Sequence, residues 1–155
     1  MPAWRWSSSG DCCGRRMHRR RIPSSLIWLT LLIAAAVAAA GASGVVLYLQ
    51  TRHAKRVQAD AMTGGDWRRG KTAIVRYQCG SCHVIPGVDG ATGQVGPDLT
   101  GIGTRVIFAG DLANNPAALT RFILHPQRVR PGSAMPELGM GRYEARSIAA
   151  YLYAQ

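Results

Sequence analysis

With 155 residues, 47% of them hydrophobic and 17% charged, the chain has room for one ordinary domain plus appendages. A formal net charge of +11 and a pI near 10.6 would suit nucleic acid, an anionic membrane surface or an acidic protein partner. Nucleic acid is excluded by pattern, because residues 52–155 hold no Lys/Arg run interleaved with aromatics.

Residues 1–21 form a basic tail of six arginines against Asp11. Cys12 and Cys13 lie in it, upstream of any apolar run, and are read as solvated thiols facing a reducing cytoplasm. Met17-His18-Arg19-Arg20-Arg21 would itself make a compact start to a membrane anchor, so residues 1–16 read as an upstream extension. Residues 22–51 contain no charged side chain, and the run from Leu26 to Leu49 is long enough to cross a bilayer as a helix of roughly 20–26 residues. The preceding arginines predict a cytoplasmic amino terminus, and Trp28 and Tyr48 lie near the two ends where aromatic rings favour the interface. A signal peptide cleaved near residues 38–42 is the alternative, but the apolar run continues past that point. Either way, residues 52–155 are delivered to the outer, periplasmic side of a bacterial cytoplasmic membrane.

Residues 52–65 read as a linker ending in Thr63-Gly64-Gly65. Asp66 is the expected N-cap of a helix reaching about Gln78, with Trp67, Gly70, Ile74 and Tyr77 on one face. Residues 84–105, rich in Gly and Pro without a period, read as loop. Asn115-Pro116 starts a second helix that turns Leu119, Phe122 and Ile123 inward and stops at His125-Pro126. Residues 131–136 form another ordered loop, and a last helix spans about Arg142 to Ala154, with Ala145, Ile148, Ala149 and Leu152 on one stripe. No strand pattern or internal repeat is expected.

The motif that carries chemistry is Cys79-Gly80-Ser81-Cys82-His83. C-x-x-C-H is the attachment signal of covalent c-type haem. Two thiols one helical turn apart reach one porphyrin edge, and the next residue, His83, ligates iron. A dithiol oxidoreductase would need a βαβ context and zinc two more ligands, and the folded region offers neither. The sixth ligand is open to Met135, Met140 and His125. Met135 is preferred because its Pro/Gly-bounded loop can hold a side chain rigidly, whereas Met140 sits between two glycines. About 90 residues with few apolar side chains make a meagre core, which a buried porphyrin would complete.

The order of C-x-x-C-H, Gly96-Pro97-Asp98-Leu99, Ala134-Met135-Pro136 and Ile148-Ala149-Ala150-Tyr151-Leu152 resembles class I cytochrome c over residues 66–155. The stretch from Phe108-Ala109-Gly110 to Met135-Pro136 is similar to cytochrome c domains joined to subunit II of some haem–copper oxidases. The resemblance implies an all-α cytochrome c fold, three to five short helices and long loops around one covalent haem c, preceded by one transmembrane helix. It implies that the carbonyl of Pro97 accepts the proximal imidazole's hydrogen bond, that Arg105 lies near a haem propionate, and that Gly70 and Ile74 pack against Ile148 and Tyr151. The family's frequent tryptophan near the propionates is missing, since all four Trp residues precede the haem motif. Subunit II's copper ligands and second transmembrane helix are missing too.

The expected function is a membrane-anchored monohaem carrier of single electrons, with His83 and Met135 as axial ligands and no enzymatic reaction of its own. Its partners would be redox proteins with acidic docking surfaces, a quinol-oxidising complex and a terminal oxidase. The rivals are a haem subunit fixed within an oxidase or dehydrogenase complex, and a haem sensor or enzyme with a displaceable sixth ligand.

Overall fold

The computed structural model describes residues 23–155, so the expectations for the basic tail, including Cys12 and Cys13, lie outside the described residues. Helix α1, Ser24–Thr63, opens the described chain. Contacts divide the protein at Ala42/Ser43, with the second unit holding the end of α1 and everything after it. The first unit's helical residues are all exposed, and the α1 window of highest mean hydropathy, 2.2, buries none of its surface. By length and composition α1 can cross a membrane.

Within the second unit the end of α1 differs from the flexible linker expected for residues 52–65. The helix continues through them to Thr63, and the chain turns at Gly64, whose φ of +65° suits glycine. The cause is local: Arg52 to Met62 contains neither glycine nor proline. Tertiary contacts then hold the segment, with Ala59 and Thr63 buried. The Asp60 carboxylate accepts the Trp67 backbone N–H at 2.7 Å, and the Arg56 guanidinium lies 4.1 Å from the Trp67 ring centroid.

Four more helices follow: α2, Trp67–Arg76; α3, Pro116–Leu124; α4, Pro126–Val129; and α5, Arg142–Tyr153. Asp66 caps α2 by accepting from the N–H groups of Arg68 and Arg69, and Asn115 caps α3 by accepting from Ala118 N–H at 2.9 Å. Single 3₁₀ turns occur at Cys79–Ser81 and Ile102–Thr104. Two features escaped the sequence reading. One is a two-stranded antiparallel hairpin, β1 Ile107–Phe108 with β2 Leu112–Ala113, too short for any alternation to show. The other is α4, a single turn that starts on the proline expected to end the preceding helix.

Helices α2 and α5 cross at very short range. A Cβ on Gly70 would stand 1.9 Å from the Ser147 carbonyl oxygen, and one on Gly65 2.5 Å from the backbone of Arg146. Ile74, Ile148 and Tyr151 are buried around this crossing, where resemblance placed them, and the expected stripe Ala145, Ile148, Ala149 and Leu152 is buried on α5. Glu144 latches the two helices. Its carboxylate accepts from Tyr77 Oη at 2.6 Å, from Arg76 Nη1 at 3.2 Å and from its own helix's Gly141 N–H at 3.0 Å. The remaining buried residues join these two helices to α3 through Leu119 and Ile123, with Phe108 of the hairpin edge-on to Phe122.

Two predictions follow from the crossing. Gly70→Ala should cost about 3 kcal/mol or more, read as the denaturation midpoint of the whole protein, since a backbone carbonyl cannot yield to a methyl group. The Glu144 latch makes stability depend on pH in two directions. Hydrogen bonds from Tyr77 and Gly141 hold the Glu144 carboxyl below its usual range, and the same Glu144 bond, with some burial, raises the Tyr77 phenol. The carboxylate's contribution is present above the ordinary glutamate range and lost as pH falls through the lowered pKa, while the phenol's is present below about pH 10 and lost as pH rises through the raised one. Tyr77→Phe should therefore flatten both limbs of a plot of melting temperature against pH; unchanged limbs would remove the latch from the account.

Candidate functional site

Helix α2 ends because Gln78 turns into the left-handed region at φ 53°, and the chemistry-bearing motif starts at the next residue. The 3₁₀ turn that follows closes with Cys82 N–H and His83 N–H both donating to the Cys79 carbonyl, at 3.2 and 3.0 Å. One tight turn therefore places the Cys79 and Cys82 side chains together. Both are half-buried free thiols. Burial pushes the Cys79 thiol above its usual range, so it stays protonated and slow to react with adventitious oxidants.

Residues 91–99 wrap this turn through backbone bonds. Gly93 N–H donates to the Gly80 carbonyl at 3.0 Å, Gly96 N–H to Cys82 at 2.8 Å and Leu99 N–H to Val84 at 2.9 Å. Glycines make the approach possible. A Cβ on Gly93 would lie 2.2 Å from the Ser81 carbonyl oxygen, and one on Gly96 2.4 Å from Cε1 of the His83 ring. The Gly-rich composition of this loop is thus the cost of covering the motif with backbone.

His83 Nδ1 lies 2.8 Å from the Pro97 carbonyl. A proline carbonyl only accepts, so Nδ1 carries a proton toward it. Nε2 makes no hydrogen bond among the described residues. With Nδ1 so engaged and Gly96 against the ring, Nε2 is the ring nitrogen that could ligate a metal. Arg105, exposed, donates from Nη2 to the carbonyls of Asp98 and Thr100, at 2.8 and 2.9 Å. It closes the loop that carries Pro97. Hydrogen bonds from Thr100 lower the Asp98 carboxyl at the same place.

The three candidate sixth ligands have different surroundings. Met140 is 8% exposed and belongs to the core with Leu119, Ile123 and Ile148. His125, half-buried, sits 3.4 Å from Glu137 through Nδ1. Met135 is half-buried in the loop after α4, its N–H donating to Ser133 Oγ at 3.2 Å and its carbonyl accepting from Gln127 Nε2 at 2.9 Å. Sequence reasoning did not single out Gln127; its signal was only its place eight residues before Met135.

The donor set fits haem c. Two thiols on one turn suit thioether bonds, the bared Nε2 suits a proximal bond to iron, and a thioether in an ordered loop suits the opposite side. No group of three or more His, Cys, Asp or Glu side chains among the described residues could hold a metal ion by itself, so iron here would come with its macrocycle.

Charge is unevenly placed. Residues 52–76 and 142–155 carry nine basic and three acidic side chains, and residues 77–141 carry four of each. All three acids of the basic portion are engaged: Asp60 with Trp67 N–H, Asp66 as the α2 cap and Glu144 in the latch. Residues 77–141 are therefore neutral as a whole, and the net charge of residues 52–155 rests on the end of α1, on α2 and on α5.

Comparison with known proteins gives one informative match. A curated cytochrome c of Chlamydomonas reinhardtii is 34% identical over 101 residues, covering 57% of this chain and 88% of the relative. No protein-family model and no solved structure matches the chain.

Replacing Gly96 with alanine tests the clamp on the imidazole. The added methyl would meet the His83 ring, so Gly96→Ala should lower the yield of haem-loaded protein severalfold when the protein is matured in cells, read from absorbance per polypeptide. Equal loading would mean that the glycine covers the ring without orienting it.

Proposed function

The chain belongs to the cytochrome c family, and from that membership we propose that it is a membrane-anchored monohaem cytochrome c carrying single electrons in a respiratory chain, to a terminal oxidase. It is an electron carrier, not an enzyme, and haem c is its cofactor. The observation that carries the residue assignment is the His83 clamp, a protonated Nδ1 on Pro97 and a free Nε2.

In this reading Cys79 and Cys82 hold the macrocycle through thioether bonds, and His83 and Met135 are the axial ligands. The haem supplies a metal that cycles between two oxidation states by one electron. The protein's own residues keep that change small. Pro97 and Gly96 fix the His83 ring, the backbone bonds of residues 91–99 hold the turn, and Arg105 ties that loop, where by resemblance it would lie near a haem propionate. A filled sixth position suits electron transfer over the binding of small ligands.

Residues 22–51 anchor the protein, with residues 66–155 as the haem domain on the outer face of a bacterial cytoplasmic membrane. The apolar composition and length of α1 support the membrane span. Partners are redox proteins, a quinol-oxidising donor and an oxidase acceptor, with acidic docking surfaces. Nine cations on α1, α2 and α5 would draw and orient such a partner, with association rates that fall as salt rises.

The test is the optical spectrum of the matured protein. The oxidised form should show a methionine–iron charge-transfer band, and the reduced form should not respond to carbon monoxide. Met135→Ala should abolish the band, lower the reduction potential and open the iron to carbon monoxide, while Met140→Ala should do none of these. Carbon monoxide binding by the unaltered protein would instead favour a sensor or an enzyme.

A further inference from the structure

Helix α4 is a single turn, yet it is firmly placed. Pro126 is among the most completely buried side chains of the chain, and Arg130 N–H closes the turn on the Pro126 carbonyl at 2.8 Å. The Arg130 side chain ties the turn to the hairpin, donating from Nη1 to the Ala109 carbonyl and, at 2.6 Å, to Asp111 Oδ1. On this fixed turn stands Gln127. Its carboxamide nitrogen donates to two carbonyls of the next loop, that of Ser133 and that of Met135 at 2.9 Å. Both partners can only accept, so the amide must present its NH₂ group to them.

We infer that Gln127 is the positioning residue of the axial methionine, a two-pronged donor that fixes the Met135 backbone and so keeps the sixth position closed. The inference rests on the assignment of Met135 as ligand. Met135 is held at both ends of its own backbone, N–H on Ser133 Oγ and carbonyl on Gln127. Backbone bonds on both sides fix where the Met135 side chain starts, so its thioether reaches a narrower region than it would from a free loop. One pin, Ser133 Oγ, comes from the loop itself, but the loop holds little else: Gly132 is at φ +83°, two prolines remove donors, and only Ser133 N–H on the Arg130 carbonyl, at 3.0 Å, ties its start to α4 through backbone. Gln127 supplies what the loop lacks. Met140 needs no such device, since side-chain packing holds it.

The residue acts through Met135 and touches no reacting atom, so ligand access is the property to measure. Gln127→Glu keeps the shape but removes both donors and sets a carboxylate against two carbonyls. In the full-length haem-loaded protein the affinity of the oxidised form for added imidazole should rise about tenfold, as expected when two neutral hydrogen bonds are lost from the closed state. Carbon monoxide should bind the reduced variant and not the unaltered protein, while the methionine–iron band persists in the absence of added ligand. Gln127→Ala serves as second variant, with a similar gain, should the glutamate variant fail to mature. Met135→Ala runs in parallel. If it abolishes the band and neither Gln127 variant changes imidazole affinity, Gln127 is only a loop staple and the inference is overturned. If Met135→Ala leaves the band intact, the ligand assignment itself has failed.

Discussion

No side chain fits between α2 and α5 where they cross, and much of the second unit follows from that. Gly65 and Gly70 lie against the backbone of Arg146 and Ser147, closer than any Cβ would allow. Ser147 is 1% exposed, with its hydroxyl accepting from Asp66 N–H at 3.2 Å. Backbone-to-backbone contact leaves the two helices almost no freedom to slide. Because only Tyr77 and Gln78 separate the end of α2 from Cys79, the register of this crossing also sets where the C-x-x-C-H turn begins. The other end of the constraint runs through the tyrosines of α5. Tyr151 Oη donates to the Pro86 carbonyl at 2.7 Å, and Tyr153 Oη to Asn114 Oδ1 at 2.7 Å, while Asn114 Nδ2 donates to the carbonyls of Ile102 and Arg105. One helix pair thus positions the motif and anchors the loops that surround it.

The site uses backbone more than side chains. The His83 imidazole is oriented by a carbonyl, covered by a glycine and underpinned by a turn closed on the Cys79 carbonyl. Backbone groups make each of these contacts, which is why a segment with no hydrophobic period can be well ordered. Its order comes from close approach and hydrogen bonding to the motif. The loop that carries Met135 is built differently, short and held by a side chain of the preceding turn, Gln127.

These two styles explain what was legible in the sequence. The C-x-x-C-H turn and the helices with caps at Asp66 and Asn115 could be read because each demands a particular residue type at a particular spacing, whereas Gly96-Pro97 was read through resemblance. The face Gly70, Ile74, Ile148 and Tyr151 was legible through resemblance. The hairpin at residues 107–113 was not, since two residues per strand carry no period and Ala109 occupies φ 47°, a conformation that composition does not announce. The end of α1 was misread as linker because Gly64-Gly65 marks a break but not its start; burial of Ala59 and Thr63 against the rest of the unit decided the matter. Gln127 was invisible for a different reason. Glutamine is ordinary at exposed helical positions, and only the fold brings its amide to the carbonyl of Met135.

Charge placement adds a physical constraint on how such a carrier meets its partners. Four cations and four anions share residues 77–141, several of them satisfied locally, as in Arg130 with Asp111 and Arg105 on the Asp98 loop. Long-range attraction therefore originates elsewhere, on the cations of α1, α2 and α5, whose acidic neighbours are consumed by caps and by the latch. Steering depends on the field of the whole protein and contact on the surface that finally meets the partner. The field of residues 52–155 is set by helices whose acids are already engaged, so attraction for an anionic surface comes from them and weakens as salt rises, while residues 77–141 as a whole add no net charge to it.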